Sequence, residues 1–408
     1  MTITGHSPIE RALTLSIAAS SLAKGVLFGV SALFFTTVIG LSPATVGIGL
    51  TVAGAAGMVA AFSAGHLSDR CGARRILAAA TVVQGVALAA YCSASSALAF
   101  TLIACVAVGA QGAQRTAQAT LLALHFTGPD RVTVRARLRV VTNVFVGVGS
   151  AAATVALASG TPAGYLVAML AASALVLASA APLRHLPAGP VDAAMSDPER
   201  SEATQGRSPL RDFRYVGIAA LYGVLTIQFG LLTVGMPLWV TLHTQAPATT
   251  VALLLVLNTV LVALCQVPAA RLVTGVRAAG RTVMGSSVFL VLTCLLYAAA
   301  GPVPALAAVT LLVLAVLAAS AAEVLSEAGE WSLAFDLADP RSAGAYQGVS
   351  QTGFAAGTML APAVVTGTAI AHGTLGWLLL AALFLTAGTA THHLATRPHP
   401  ATAAPTHP

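Results

Sequence analysis

Apolar runs of about twenty residues, separated by short polar breaks, repeat along nearly the whole chain. A helix rising about 1.5 Å per residue needs about 20 apolar residues to cross a bilayer's hydrocarbon layer. That ruler predicts twelve spans, at about 11–38, 43–66, 75–95, 97–124, 138–159, 163–183, 214–242, 248–270, 282–300, 303–334, 346–370 and 373–395. One long polar segment interrupts the series. Between the sixth and seventh runs, Arg184 to Arg214 carries Pro187, Pro190, Pro198 and Pro209 together with five acids and five Arg. The chain therefore divides into a six-helix half (1–183), a linker (184–213), a second six-helix half (214–395) and a Pro/Ala/Thr/His-rich tail expected to be disordered (396–408). The fold class expected is an all-α polytopic membrane protein, with twelve transmembrane helices in two six-helix halves.

Composition agrees. The 408 residues are 57% hydrophobic and only 8% charged, where soluble domains carry about a quarter charged residues. The formal net charge of +7 invites a nucleic-acid reading, but the Arg residues sit in short clusters between apolar runs and form no groove with interleaved aromatics, so no nucleic acid is expected. Cys71, Cys92, Cys105, Cys265 and Cys294 are scattered singly, without CxxC or Cys/His spacing, which supports neither a disulfide framework nor a metal site. Met1 to Ala12 has no basic stretch before a short apolar core, so the first run is read as a span and not a signal peptide.

Charge placement tests the topology. With a cytoplasmic N-terminus, the inner loops hold Arg70, Arg74 and Arg75, then Arg131, Arg135 and Arg137, the linker arginines, Arg271, Arg277 and Arg281, and Arg341. The outer loops Gly40–Pro43, Ser96, Ser159–Pro162, His243–Thr250, Gly301–Pro302 and His372–Gly373 contain no Lys or Arg. The positive-inside rule then puts both termini in the cytoplasm of a multi-pass protein of the plasma (inner) membrane.

Several charges fall inside spans, where each costs about 2.5–3.5 kcal/mol and needs a cavity or a partner. Lys24, the only lysine, lies about 20 Å from the inner end of the first span, too deep to snorkel easily; it faces a cavity or makes an ion pair that fixes helix packing. Arg115 lies about 15 Å into the fourth span, with a cavity role and a structural role near the inner surface both open. Glu323, Glu327 and Glu330 follow at i, i+4 and i+7 in the tenth span and share one helical face. Like charges stacked out of water repel, so at least one is expected to hold a proton at neutral pH, the property of a proton-coupling carboxylate. The alternative is a long helix whose end leaves Glu330, with or without Glu327, in inner solvent. Gln228 is a polar outlier in the seventh span; Tyr222, Asn258 and Gln266 are secondary candidates, each equally readable as a helix–helix hydrogen bond.

The stretch Gly65-His66-Leu67-Ser68-Asp69-Arg70-Cys71-Gly72-Ala73-Arg74-Arg75, read as a charged turn between the second and third spans, resembles the loop 2–3 motif of the major facilitator superfamily, roughly G-x-L-x-D-R-x-G-R-R. Ala73 stands where a basic residue is usual. Arg271-Leu272-Val273-Thr274-Gly275-Val276-Arg277 is a degraded echo in the second half, without the Asp. The segment Glu323 to Val349, with Gly344-Ala345-Tyr346-Gln347-Gly348-Val349, looks like that of bacterial drug/proton antiporter-type members. Val108 replaces the Arg of their fourth-span motif ahead of Gln111-Gly112, and Gly147-Val148-Gly149-Ser150 lacks the Pro of their fifth-span motif, which leaves the direction of transport open.

The resemblance implies the major facilitator fold, with spans 1, 4, 7 and 10 lining a central cavity, and a monomer moving a small molecule by alternating access. Lys24, Arg115, Gln228 and the glutamates each fall on one of those spans. It further implies that Asp69 latches the two halves together near Ser342, at the positive end of the eleventh span, with Gly65, Arg70, Gly72, Arg74 and Arg75 completing the motif. The expected function is proton-coupled transport of a small amphipathic compound, by efflux, with Glu323 or Glu327 carrying the proton and Lys24, Arg115 and Gln228 facing the substrate. The alternatives are uptake of an anionic solute, which a net-positive cavity would favour, and a non-transporting membrane sensor. No Walker A loop and no paired catalytic groups occur, so neither ATP, a cofactor nor an enzymatic activity is expected.

Overall fold

The computed structural model describes residues 8–128, 130–186 and 207–397. The linker and tail expected at 184–213 and 396–408 lie for the most part outside the described residues. Twelve helices long and apolar enough to cross a membrane follow in order. They are α1 (Pro8–Leu33), α2 (Pro43–Cys71), α3 (Ala73–Ala90), α4 (Ala97–His125), α5 (Asp130–Ser159), α6 (Pro162–Ser179), α7 (Phe213–His243), α8 (Thr249–Leu272), α9 (Val276–Ala300), α10 (Ala305–Asp336), α11 (Ala343–Val365) and α12 (Thr374–Thr396).

The helix starts opposite the Asp69 motif follow local chemistry. Ser42 and Thr161 each precede a proline and accept a hydrogen bond from the backbone N–H of Thr45 and Gly164, and Ser96 accepts one from Ala99. A side-chain oxygen at the cap and a proline in the first turn satisfy or remove the donors a helix start leaves orphaned. The α7 span is not uniform: it runs as Phe213–Thr226, Gln228–Gly230, a π turn at Leu231–Gly235 and Met236–His243. Pro237 supplies the cause, since it cannot donate to the carbonyl of Thr233 one turn back.

At the other end the helices outrun the apolar stretches. Instead of starting near 138, α5 starts at Asp130, which places Arg131, Arg135 and Arg137 on the helix and not in a loop. Likewise Gly65 to Cys71 form the last two turns of α2, and only Gly72 breaks the helix before Ala73 opens α3. The motif is a helix end, not a charged loop. Backbone hydrogen bonding continues past the point where side chains turn polar, and hydropathy records only the side chains.

Packing divides into two halves with separate cores. Phe35, Tyr91 and Phe100 interlock in the first, with ring centroids 4.8–5.8 Å apart. Trp239, Tyr297 and Trp377 do so in the second, where the Trp239 indole N–H donates to the Tyr297 carbonyl at 2.7 Å. The large buried cluster that mixes the halves lies at the motif end, where Ala270, Trp331 and Phe335 join Leu13, Leu77, Leu122 and Leu138. The halves are thus sealed together at the Asp69 end and keep their own cores towards the other.

Candidate functional site

Polar side chains recur with helical period on the faces that meet between the halves. On α1, Ser20 and Lys24 are one turn apart; on α4, Gln111, Gln114, Arg115 and Gln118 stand at i, i+3, i+4 and i+7; on α5, Arg135, Arg139 and Thr142 stand at i, i+4 and i+7. A stripe at this spacing on a membrane helix must face protein or water. These three stripes line a central cavity of about 130 Å³, closed from the other half by Trp331 of α10 and by Gln351 and Phe354 of α11. A second cavity of about 390 Å³ lies between α2, α4 and α11 and shares Gln111, Arg115 and Gln351 with the first. Its other walls, among them Leu50, Gly54, Val108, Ala355 and Met359, are mostly apolar.

The central wall carries Lys24, Arg115, Arg135 and Arg139 and no carboxylate. Three of these cations stack on rings of the opposite half: Arg115 over Phe354 at 4.3 Å, Arg135 over Trp331 at 4.3 Å and Arg139 over Phe229 at 5.4 Å. Lys24 forms no ion pair among the described residues, so the expected alternative of a packing salt bridge is set aside. The Arg135 and Arg139 Nε and the Gln118 and Gln351 Nε2 atoms are buried without a hydrogen-bond acceptor. The wall offers positive charge and spare donors. An acceptor-rich, negatively charged solute matches both.

Arg139 also reaches behind the wall. Its Nη2 donates to Glu323 at 3.0 Å and its Nη1 lies 3.9 Å from Glu327. Glu323 further accepts from Asn258 of α8 at 3.4 Å, and Glu327 from the Trp331 indole at 3.1 Å. Glu330 accepts from Ser326 at 3.2 Å. All three glutamates are buried, Glu330 to 3% exposure, so the alternative of a hydrated helix end fails: α10 continues to Asp336 and α7, α8 and α9 pack around it. Gln228 does not line the cavity. It sits between α7 and α10, donating to Ser326 at 3.2 Å, because α7 turns this face to α10 and offers Phe229 to Arg139 instead.

Two of the motif residues, Gly65 and Asp69, meet the second half. Asp69 accepts from the backbone N–H groups of Gly344 and Ala345, each at 2.7 Å, and so caps α11 from another helix. Ser342, at the cap position itself, provides no side-chain bond. The carboxylate meets both orphan donors and the positive end of the helix dipole. Gly65 permits the approach, since a Cβ there would collide with the Gly344 carbonyl. Gly72, at φ +89°, lets the chain reverse between α2 and α3. Arg74 donates to the Leu186 carbonyl at 2.6 Å, while Arg70 and Arg75 are exposed.

The structure therefore gathers Lys24 and Arg115 at one cavity, puts Glu323 and Glu327 behind it, and moves Gln228 away. Arg135 and Arg139 are the residues that sequence reading passed over. Their four-residue spacing, continued by Thr142 into an apolar run, is the signal that would have found them.

Compared with models of protein families, the chain matches that of the Major Facilitator Superfamily over residues 13–362. The chain belongs to the major facilitator superfamily. Members of this superfamily are membrane transporters, and the twelve helices able to cross a membrane agree with that membership. Solved structures share the fold. The human organic anion transporter MFSD10 (TETRAN) is 16% identical, with a TM-score of 0.71 over 94% of this chain and 99% of that one. The proton:xylose symporter XylE is 15% identical, with a TM-score of 0.66 over 95% and 94%. A bacterial homologue of the iron transporter ferroportin, in an outward-facing state with soaked iron, is 12% identical, with a TM-score of 0.68 over 95% and 98%. A search of curated protein sequences finds no match.

Proposed function

We propose that this superfamily member is a proton-coupled secondary transporter of a small amphipathic organic anion. One observation carries the reading: the cavity wall presents Lys24, Arg115, Arg135 and Arg139, its carboxylates lie behind it, and its unpartnered amide and guanidinium groups are donors. The adjoining apolar cavity, reached past Arg115, suits the hydrocarbon part of such a solute. The fold also serves a human organic anion transporter and a proton:xylose symporter, so it accommodates anionic cargo and proton coupling alike.

In this mechanism the motif end is cytoplasmic, the protein works as a monomer in the plasma membrane, and the halves 1–183 and 214–395 rock about the site. With that end cytoplasmic, the contacts at Asp69 fit an outward-facing state. An anion arriving at Lys24 and Arg115 competes with Glu323 and Glu327 for Arg139. Protonation of either glutamate weakens its hold on that guanidinium and leaves it free for the solute. Motion of the loaded protein then requires the Asp69 cap on α11 to release.

The test is flux into proteoliposomes of a panel of anionic, neutral and cationic amphiphiles, under an imposed proton gradient of either sense. Anions are expected to move, and Lys24→Met and Arg115→Gln to raise their KM at least about tenfold, roughly one lost charge-assisted hydrogen bond each. The two gradient senses separate export, the direction expected from the resemblance, from uptake. Selective movement of cations, unaffected by either substitution, would overturn the proposal.

A further inference from the structure

Among the described residues, Glu330 is the one glutamate of the α10 stripe that forms no ion pair. Its Oε1 accepts from Ser326, and its Oε2 is buried without any partner among the described residues. Ser326 itself accepts from Gln228, so a hydrogen-bonded chain runs from Gln228 of α7 through Ser326 to Glu330 of α10. Among the described residues, none pairs with it to balance a negative charge. On α10 the near titratable neighbour is Glu327, of like sign. From α7 comes Tyr222, in electrostatic reach of both glutamates, its buried hydroxyl also unpartnered. The α9 face against neighbouring Gly329 is Ala279 and Val283. The α5 guanidiniums are engaged elsewhere, Arg135 on Trp331 and Arg139 on Glu323 and Glu327, and neither forms an ion pair with Glu330.

A carboxylate out of water, with one oxygen bare and no cation, costs far more than the neutral acid, and such a group takes up a proton instead. The neutral acid suits this site: its carbonyl accepts from Ser326, and the bare oxygen becomes the O–H. Glu323 and Glu327 are in the opposite situation, since Arg139 holds them as its counter-ions.

We infer that Glu330 is a proton-binding site separate from the anion cavity, loaded in the outward-facing state. It is a site distinct from the Arg139-bound pair, and it deepens the proton-coupled reading, on which its role in transport rests. The division of labour is spatial. Cargo meets cations on one side of Trp331, and the proton rests on Glu330 in the α7–α10 interface.

Infrared difference spectroscopy of the reconstituted protein tests the site without any substrate. Stepping the pH upwards from neutrality is expected to remove a protonated-carboxyl C=O band that is absent from Glu330→Gln and present in Glu323→Gln and Glu327→Gln. Glutamine copies the neutral acid in shape and keeps an acceptor for Ser326, so this variant is expected to fold. A band unchanged by Glu330→Gln overturns the assignment.

A transport arm uses the anion that the panel identifies. Glu330→Gln is expected to keep gradient-free anion exchange within about twofold of the wild type and to reduce proton-driven accumulation at least about tenfold. Proton-driven accumulation within about twofold of the wild type overturns the coupling role. Absence of anion exchange in the wild type would refute the function proposed above, and the infrared band would still decide whether Glu330 binds the proton.

Discussion

Arg139 shows how much one buried side chain can be asked to do. It stacks on Phe229, bonds Glu323 at 3.0 Å and borders the cavity with an unpartnered Nε. Removing one member of a buried ion pair costs more than the pair was worth, because the survivor is left charged in a dry site. Arg139→Gln is therefore expected to lower stability in detergent by about 3–5 kcal/mol. Adding Glu323→Gln should restore most of that loss, and a double cycle that proves additive would dissociate the pair. Asp69 makes a milder case. Asn at that position offers one acceptor to two N–H groups, and a lost charge-assisted bond of about 1.5–3 kcal/mol shifts the sealed-to-open ratio roughly tenfold or more. Asp69→Asn is expected to insert normally and to lose transport, read as substrate flux per inserted molecule.

Residue roles were unevenly legible in the sequence, for physical reasons. Lys24 and Arg115 stood out because no other charge lies near them within their spans. Arg135 did not, because a charge near a span end is most simply read as a loop anchor. The glutamate stripe was visible by period, but which glutamate takes Arg139 and which stands alone depends on the facing helix. Gln228 was visible as an outlier and assigned to the wrong neighbour, since the π turn that follows it and the packing of α7 on α10 set which way it points.

Among the elements, α2 and α11 meet at the sealed end. They touch where Gly65 meets Gly344 and Gly348, and Asp69 reaches across at the same level. Gly65→Val would force the helices apart there, whatever its effect on hydropathy. In that background a Ser68→Cys probe, at a position that is 1% exposed in the sealed state, is expected to react with a water-soluble thiol reagent at least about tenfold faster. Equal rates in the two backgrounds would show that the glycine contact does not hold the end shut. The fifth-span stretch earns a similar reading: Gly149 lies against Leu22 and Gly25 of α1, so its small residues bring α5 and Arg139 close to α1 and Lys24. Small residues that admit a neighbouring backbone suffice for that purpose, and a proline is not needed.

For the whole molecule, the spans were legible because length and apolarity leave a membrane helix few alternatives, and the halves because one polar segment breaks the series. What the sequence could not show is that the cavity's charge comes from four residues on one half while its rings come from the other. Lys24→Glu, which reverses one of those charges, is expected to abolish anion flux while the protein still folds. Retained anion flux would remove the cavity charge from the mechanism.

That split has a consequence for the empty protein. Each of the three guanidinium–ring stacks has its cation in the first half and its ring in the second, so rocking the halves apart must part all of them together. A desolvated stack contributes up to about 2 kcal/mol, and an unloaded molecule would lose these contacts with nothing in their place. A bound anion compensates the cations directly. Slippage without cargo should therefore be rare, and thinning the rings with Phe354→Leu or Phe229→Leu should raise the passive proton leak of vesicles containing the protein, a current that can be recorded before any cargo is known.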